Sequence, residues 1–475
     1  MAKLNLKREC MSVPMKFEVE NLGKLKRAEF ELGELTVVCG ENNSGKSYLT
    51  NALFGFLVEW MQFHPMPKKY LRLAEIFEHG TVEIKLKDVL SKSQAYLDEF
   101  SERYSNTLPE VLGTRPSHLD GASFRCKVPI ERITPAKDFT QTIGSSDSQL
   151  FSVTRTKTSS SIKVDWLGSP DALARMPRLL AEDLVRDIVR QLSFGATFAR
   201  PLIASSERSG IVTFRKHLDF FRTGIIEKVS KGEKNIDPQQ LIADIKSGFP
   251  KTIEYDVHFL RDLQEVSKHQ SFFAKSQSII LDDFREIAGG SFGIENHDRL
   301  YFSPTKTRKR LSMRERSSSA RALVNIAFHL HHVLQSSDLF LIDEPELGLH
   351  PKNQRLMAKL IASLVNSGVK VFVTTHSDYF IRELNTLMLL YNRKASTSDS
   401  SLIQTYRDDH RLNPEKVRVY SARKARIRYG DNKTAQLAQT LTPIPIDEER
   451  GLSLSTFDKQ IDEMNLIQDE IIWGS

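Results

Sequence analysis

"VVCGENNSGKSYLT", residues 37–50, decides how this chain folds. It opens inside an apolar, β-prone run, "LTVVC", and passes into a helix-period stretch, "YLTNALFGFLVEW". Between them Gly40, Gly45, Lys46 and Ser47 fit G-x-x-x-x-G-K-S, a phosphate loop in its strand, loop and helix setting. Such a run of small residues makes room. The glycines let the backbone turn its N–H groups inward around phosphate oxygens, and the following helix adds its positive end. Gly40, Asn42, Asn43, Ser44 and Gly45 would form the cradle, Lys46 would reach the β- and γ-phosphates, and the Ser47 hydroxyl would be a ligand of Mg2+.

Downstream runs supply the rest of a phosphoryl-transfer site. "DLFLIDEPELGLHP", residues 338–351, is an apolar strand ending in Asp343 and Glu344. A carboxylate at the end of a buried strand can hold Mg2+, and the next one points elsewhere and can polarise an attacking water. Asp343 is therefore the metal residue and Glu344 the catalytic one. "VKVFVTTHSDYFIREL", from Val369, is a third strand-like run and delivers His376 just before a helix, where it would sense the γ-phosphate.

Composition fits a folded protein. The 475 residues are 40% hydrophobic and 27% charged, enough for one large core or two moderate ones. The opening "MAKLNLKREC" lacks the apolar stretch of a signal peptide, and no later run approaches the roughly 18 apolar residues of a membrane span. The expectation is a cytoplasmic protein without membrane contact. Cys10, Cys39 and Cys126 show no C-x-x-C spacing, so all three read as reduced.

The formal charge of +7 is unevenly spread. Residues 301–323 hold seven Lys/Arg against one Glu, and residues 411–429 hold seven against one. Those stretches carry +12 of the +7 total, which leaves the remainder at −5. They read either as solvated faces or as surfaces for a polyanion.

Together "GENNSGKS", "LFLIDEPELGLHP" and "VFVTTHSDYF" resemble the ABC-type ATPase heads of the SMC, RecF and OLD group. "MKFEVENLGKLKRAEFELGELTVVCG" is similar to that group's N-terminal entry, "LIASSERSG" (202–210) to a strand of OLD-like members, and "GLSLSTFDKQIDEMNLIQDEIIW" to their C-terminal tail. The resemblance implies an α/β fold, an ABC-type ATPase head with a P-loop core sheet, and a helical insert between two lobes. It implies ATP and Mg2+ as cofactors, and a homo-oligomer, at least a head dimer, sandwiching two nucleotides. In the group a serine-glycine-glycine signature contacts the partner's γ-phosphate. Here Ser317-Ser318-Ser319-Ala320 stands at that place without glycine, and Ser318 and Ser319 are the candidate contacts beside the plain alternative of a helix N-cap. No glutamine is assigned to the loop that joins the lobes.

On this reading lobe I spans 1–214 with an unplaced region at about 65–195, a helical insert spans 215–290, and lobe II spans 291–475. The insert lacks sustained heptads and reads as a helical hairpin or small cap. The Ser/Thr-rich 143–168 reads as hairpin or loop. OLD nucleases carry a Toprim domain after the ATPase, but only 99 residues follow His376, and "YRDDHR" reads as a charged turn. The chain thus resembles the ATPase half of two-gene antiphage systems such as PARIS, whose partner is a Toprim protein, and next Septu, paired with an HNH nuclease. Two functions are expected from this. One is a sensor and scaffold that holds a separate effector nuclease or toxin and meets a phage acidic protein or nucleic acid. The other is a RecF-like DNA-binding repair clamp.

Overall fold

The computed structural model describes residues 15–452 with breaks, the longest at 63–73, 130–138, 216–247 and 393–404. Cys10, Arg308 and the tail 453–475 lie outside the described residues.

The first described elements are two strands whose inward residues alternate, β1 (Met15–Leu22) and β2 (Leu25–Leu32), paired antiparallel, with positive φ at Asn21 near the end of β1 and at Gly23 in the turn. β3 (Leu35–Gly40) is apolar and buried almost throughout, the signature of a strand covered on both faces. Helix α1 (Lys46–Gln62) follows the loop. Then come β4 (Thr81–Lys85), α2 (Ser93–Val111), β5 (Ser123–Lys127), β6 (Phe139–Gly144), β7 (Gln149–Arg155), β8 (Ser161–Trp166) and β9 (Pro201–Ala204). Helices α3 (Lys251–Arg261) and α4 (Ser278–Ala288) precede an antiparallel sheet of β10 (Gly290–Glu295), β11 (Arg299–Pro304) and β12 (Leu311–Ser312). The last part alternates α5 (Ser318–Phe328), β13 (Leu339–Asp343), α6 (Pro351–Asn366), β14 (Lys370–Thr375) and α7 (Asp378–Asn392), then continues into β15 (Val417–Ile427), β16 (Gln436–Pro443) and a short two-stranded pair, Ile446–Asp447 with Gly451–Leu452.

The central sheet runs β16-β15-β3-β14-β13-β9, with the last five strands parallel and β16 antiparallel on the edge. This is the expected α/β class with a core sheet around the phosphate loop. Strand alternation feeds two cores. Leu35, Val37, Cys39, Phe340, Ile342, Val371 and Val373 face helices α3 to α7, while Val38, Leu341 and Phe372 face α1, α2 and the β1–β2 pair. Cys39 and Cys126 are free and buried.

The region without a sequence assignment, 65–195, divides in two. Helix α2 packs Leu97, Phe100 and Tyr104 into the second core, where Phe100 meets Phe56 and Trp60 edge-on, and β5 adds to β1. The remaining strands form their own antiparallel sheet, β4-β8-β7-β6, around Ile84, Phe151, Val153, Ile162 and Val164. The Ser/Thr-rich stretch is thus mostly strand. In 251–288 helices alternate with short turns, and Phe259, Leu260, Phe273, Ile280 and Phe284 are buried in the main core. The rest of the insert, 216–247, lies outside the described residues.

Candidate nucleotide site

Parallel order puts the carboxyl ends of β3, β13 and β14 side by side: Asp343 sits opposite Thr374, Thr374 opposite Val38, and Thr375 opposite Cys39. The loop after β3 takes the backbone that small residues allow, with positive φ at Gly40 (150°), Asn43 (60°) and Gly45 (97°). A Cβ at Gly40 would lie 2.6 Å from the Ala422 carbonyl oxygen of β15, so that position requires glycine. Ser44 is buried and Asn42 exposed.

Lys46 opens α1 and is buried; its ammonium donates to the Gly40 and Glu41 carbonyls at 2.8 and 2.7 Å, spanning the loop. Burial pulls its pKa down, and the nearby carboxylates of Glu344, Asp343 and Glu346 pull the other way. Asp343 is also buried, and burial raises its pKa against hydrogen bonds from Thr374 and Ser47. The two residues expected to hold a cation, Ser47 and Asp343, therefore lie near each other.

Glu344 follows in a left-handed backbone, φ 54°, with its N–H donated to Thr374 O at 3.0 Å. Its carboxylate lies 3.4 Å from His376 Nδ1. That contact holds the Glu344 carboxyl below the usual carboxylate range and raises the His376 imidazole. A carboxylate held ionised in this way orients and polarises a water more readily than it keeps a proton.

Glu346 was given no role from the sequence, yet it builds the turn that carries His376. It is 4% exposed, and its Oε1 accepts from Thr375 Oγ1 (2.6 Å), His376 N (2.9 Å) and Ser377 N (3.2 Å), just ahead of α7. Its other oxygen is buried without a partner among the described residues. A carboxylate oxygen orphaned beside a buried lysine, a loop of inward-turned backbone and an oxygen pair at Ser47 and Asp343 fit a polyphosphate with a divalent cation. The cation, when bound, would neutralise charge on the phosphate oxygens.

Ser318 and Ser319 start α5, which Ser317 caps by accepting from Ala320 N. Ser318 is exposed and Ser319 half-buried. Ser319 also packs against Gly348, whose Cβ, if present, would lie 3.2 Å from Ser319 Cα. "YRDDHR" is a 3-10 turn, as expected; Arg407 donates to both Asp283 (2.7 and 2.5 Å) and Asp409 (2.9 Å), so the acidic cluster there is held by an arginine.

A family model described as AAA ATPase domain matches residues 15–108 and 202–381, more than half of the chain. The chain belongs to that family. In this AAA ATPase the stretch between the matched parts holds β5 to β8, three of them in the separate small sheet. Among solved structures it is similar to an SMC head bound to the C-winged helix domain of ScpA (12% identity, 92% of this chain and 98% of that one, TM-score 0.34). A Smc head with an extended coiled coil bound to the C-terminal domain of ScpA, from Pyrococcus furiosus, aligns at 12% identity over 96% and 100%, TM-score 0.33. The SMC head domain from Thermotoga maritima aligns at 9% over 91% and 100%, TM-score 0.28. Likeness this distant says nothing of function. No match was found among curated proteins. No helix among the described residues of this AAA ATPase is long and apolar enough to cross a membrane.

Proposed function

We propose that this chain hydrolyses ATP with Mg2+ and works as the sensor and scaffold of a bacterial antiphage defence system, in the cytoplasm. The observation that carries the hydrolytic part is the convergence of Lys46, Ser47, Asp343, Glu344 and His376 on one edge of the sheet. Gly40 to Gly45 hold the phosphates, Ser47 and Asp343 hold the cation, Glu344 polarises the attacking water, and His376 faces the γ-phosphate. Ser318 and Ser319 meet the nucleotide of a second copy across a head dimer, using the open N–H groups of a helix start.

The scaffold part is supported by the motif resemblance to OLD-like ATPases of two-gene systems, which implies a separate effector, a Toprim or other nuclease or a toxin. The test is a pull-down with tagged Glu344→Gln protein and ATP from the native host. A stoichiometric nuclease-like protein supports the scaffold, and its absence with DNA recovered instead removes it.

One observation favours the second reading, a RecF-like DNA clamp. β15 pairs with β3 only up to Ala422; beyond that, residues 423–427 pair with β16 alone and form a two-stranded ribbon. Arg423, Lys424 and Arg426 are exposed on it, Arg428 follows, and residues 434–443 opposite contain no acid. Reversing Arg423, Lys424 and Arg426 to Glu should abolish polyanion binding while basal turnover stays. DNA affinity resting on phosphates would fall steeply between low and moderate salt; a flat salt response would exclude this reading.

A further inference from the structure

Arg208 lies in "LIASSERSG", just past the end of β9, and is 0% exposed. It makes no use of its charge in a hydrogen-bonded carboxylate pair among the described residues. Its guanidinium instead spans four main-chain carbonyls: Ser205 O (2.7 Å), Ala322 O (2.8 Å), Asp343 O (2.6 Å) and Glu344 O (2.6 Å). Ala322 is in the first turns of α5, which begins at Ser318, and Asp343 and Glu344 end β13. Two more contacts join the same pieces. Ser319 sits against Gly348 in the loop after Glu344, and Asp256 of α3 accepts from Ser205 N and Oγ (3.0 and 2.6 Å) and from Asn325 Nδ2 of α5 (2.7 Å).

We infer that Arg208 is a positioning residue that ties the start of α5 to the Asp343–Glu344 backbone, so that a partner engaging Ser318 and Ser319 sets the aim of Glu344. Only a planar fork with five donors can serve four carbonyls at once; a lysine nitrogen has three protons at one point. The backbone it grips is also the strained one: Glu344 holds φ 54°, and the Glu344 carbonyl is fixed by Arg208 while its N–H is fixed by Thr374. Freed of the guanidinium, Glu344 has a lower-energy backbone to relax into, and relaxation swings the carboxylate off His376. The inference rests on the hydrolytic reading of this site.

The test uses the full chain with Arg208→Lys, which keeps charge, and Arg208→Met, which keeps length and removes the buried charge. Expected for each folded variant is nucleotide affinity within about two-fold of the parent and a kcat at least about ten-fold lower, since roughly 1 Å of misplacement can cost a hundred-fold. The loss should vanish when either change is added to Glu344→Gln, because both act through one carboxylate. A folded variant with unchanged kcat overturns the inference, and so does a parallel fall of affinity and kcat or an additive loss in the double variant. If neither variant folds, native-state hydrogen exchange on the unsubstituted chain decides: the amides of 320–328 and of 343–344 must open together, and separate opening overturns the linkage. Absence of ATP turnover in the unsubstituted chain would instead sink the hydrolytic reading.

Discussion

Replacing Glu346 tests whether the turn carrying His376 is held by a buried acceptor. Three donors converge on Oε1, and two of them belong to the buried residues Thr375 and Ser377. Glu346→Ala leaves those two without it, at about 1–3 kcal/mol for each buried donor left unpaired. The Ser377 N–H keeps a second acceptor, Thr375 Oγ1 at 3.0 Å, which puts the expected loss at the low end of the sum, about 2 kcal/mol. Glu346→Gln keeps an acceptor oxygen; its bonds are weaker than those to a charge, but a buried charge is relieved, so the expected loss stays within about 1 kcal/mol. Urea unfolding of the three proteins measures both. The charge has a separate readout. Glu344, chiefly through its hydrogen bond, and then the charge of Glu346 raise the His376 pKa above its ordinary 6.5, so the stabilisation it brings is complete below 6.5 and is lost as pH rises through the raised folded value. Glu346→Gln should lower the His376 pKa and narrow that window, read by NMR of 13C-labelled histidine. An alanine variant as stable as the parent would refute the acceptor role, and a His376 titration indifferent to the glutamine would refute the electrostatic one.

Lys46→Ala removes the buried ammonium that spans the loop and should abolish nucleotide binding in a filter or fluorescence assay; unchanged turnover would move the site elsewhere. Glu344→Gln should keep nucleotide affinity and cut hydrolysis to a small residual rate, giving a long-lived ATP-bound state, because an amide preserves shape but cannot polarise water as a carboxylate does. Gly40→Ala should cost about 3 kcal/mol and lower nucleotide affinity, combining a positive-φ penalty of order 1–3 kcal/mol with a Cβ driven into the Ala422 carbonyl; a wild-type unfolding midpoint would show that β15 yields there.

The core strands were legible because burial on both faces removes the need for alternation. "LTVVC", "LFLI" and "KVFVTT" read as continuous apolar or β-branched runs, and the catalytic candidates stand where those runs stop. Strand order was not legible, since nothing in the composition of β9, β13, β14 and β15 says which neighbours which. Glu346 was hidden for a related reason. Its partners lie 29 to 31 residues on, at and just past the end of a strand whose register relative to β13 only the sheet defines, so an acid after proline carried no signal of its own. Arg208 was hidden more deeply still, because its acceptors are backbone carbonyls 114 and 135 residues away that carry no side-chain signature. In 65–195 the obstacle was the pattern itself: the short strands β4, β6, β7 and β8 pair only with one another and bury a small core, which leaves little apolar periodicity to detect.

Glu344 shows where local preference and the fold disagree. A glutamate in the left-handed region costs on the order of 1–3 kcal/mol, and glycine or asparagine would sit there with less strain. The sequence does spend such residues where only backbone shape matters, at Gly40, Asn43, Gly45 and Gly348. At 344 it keeps a long carboxylate in the same kind of backbone, and three contacts hold it there: Thr374 on the N–H, Arg208 on the carbonyl and His376 on the side chain. A residue strained against its own propensity and over-determined by its surroundings is what a site looks like when side-chain direction, rather than chain reversal, is the requirement. The phosphate loop can be read from spacing because its chemistry is made by backbone. The carboxylate facing it needs the whole edge of the sheet to aim it, which is why Arg208 and Glu346, neither of them in a motif that spacing reveals, belong to the same device.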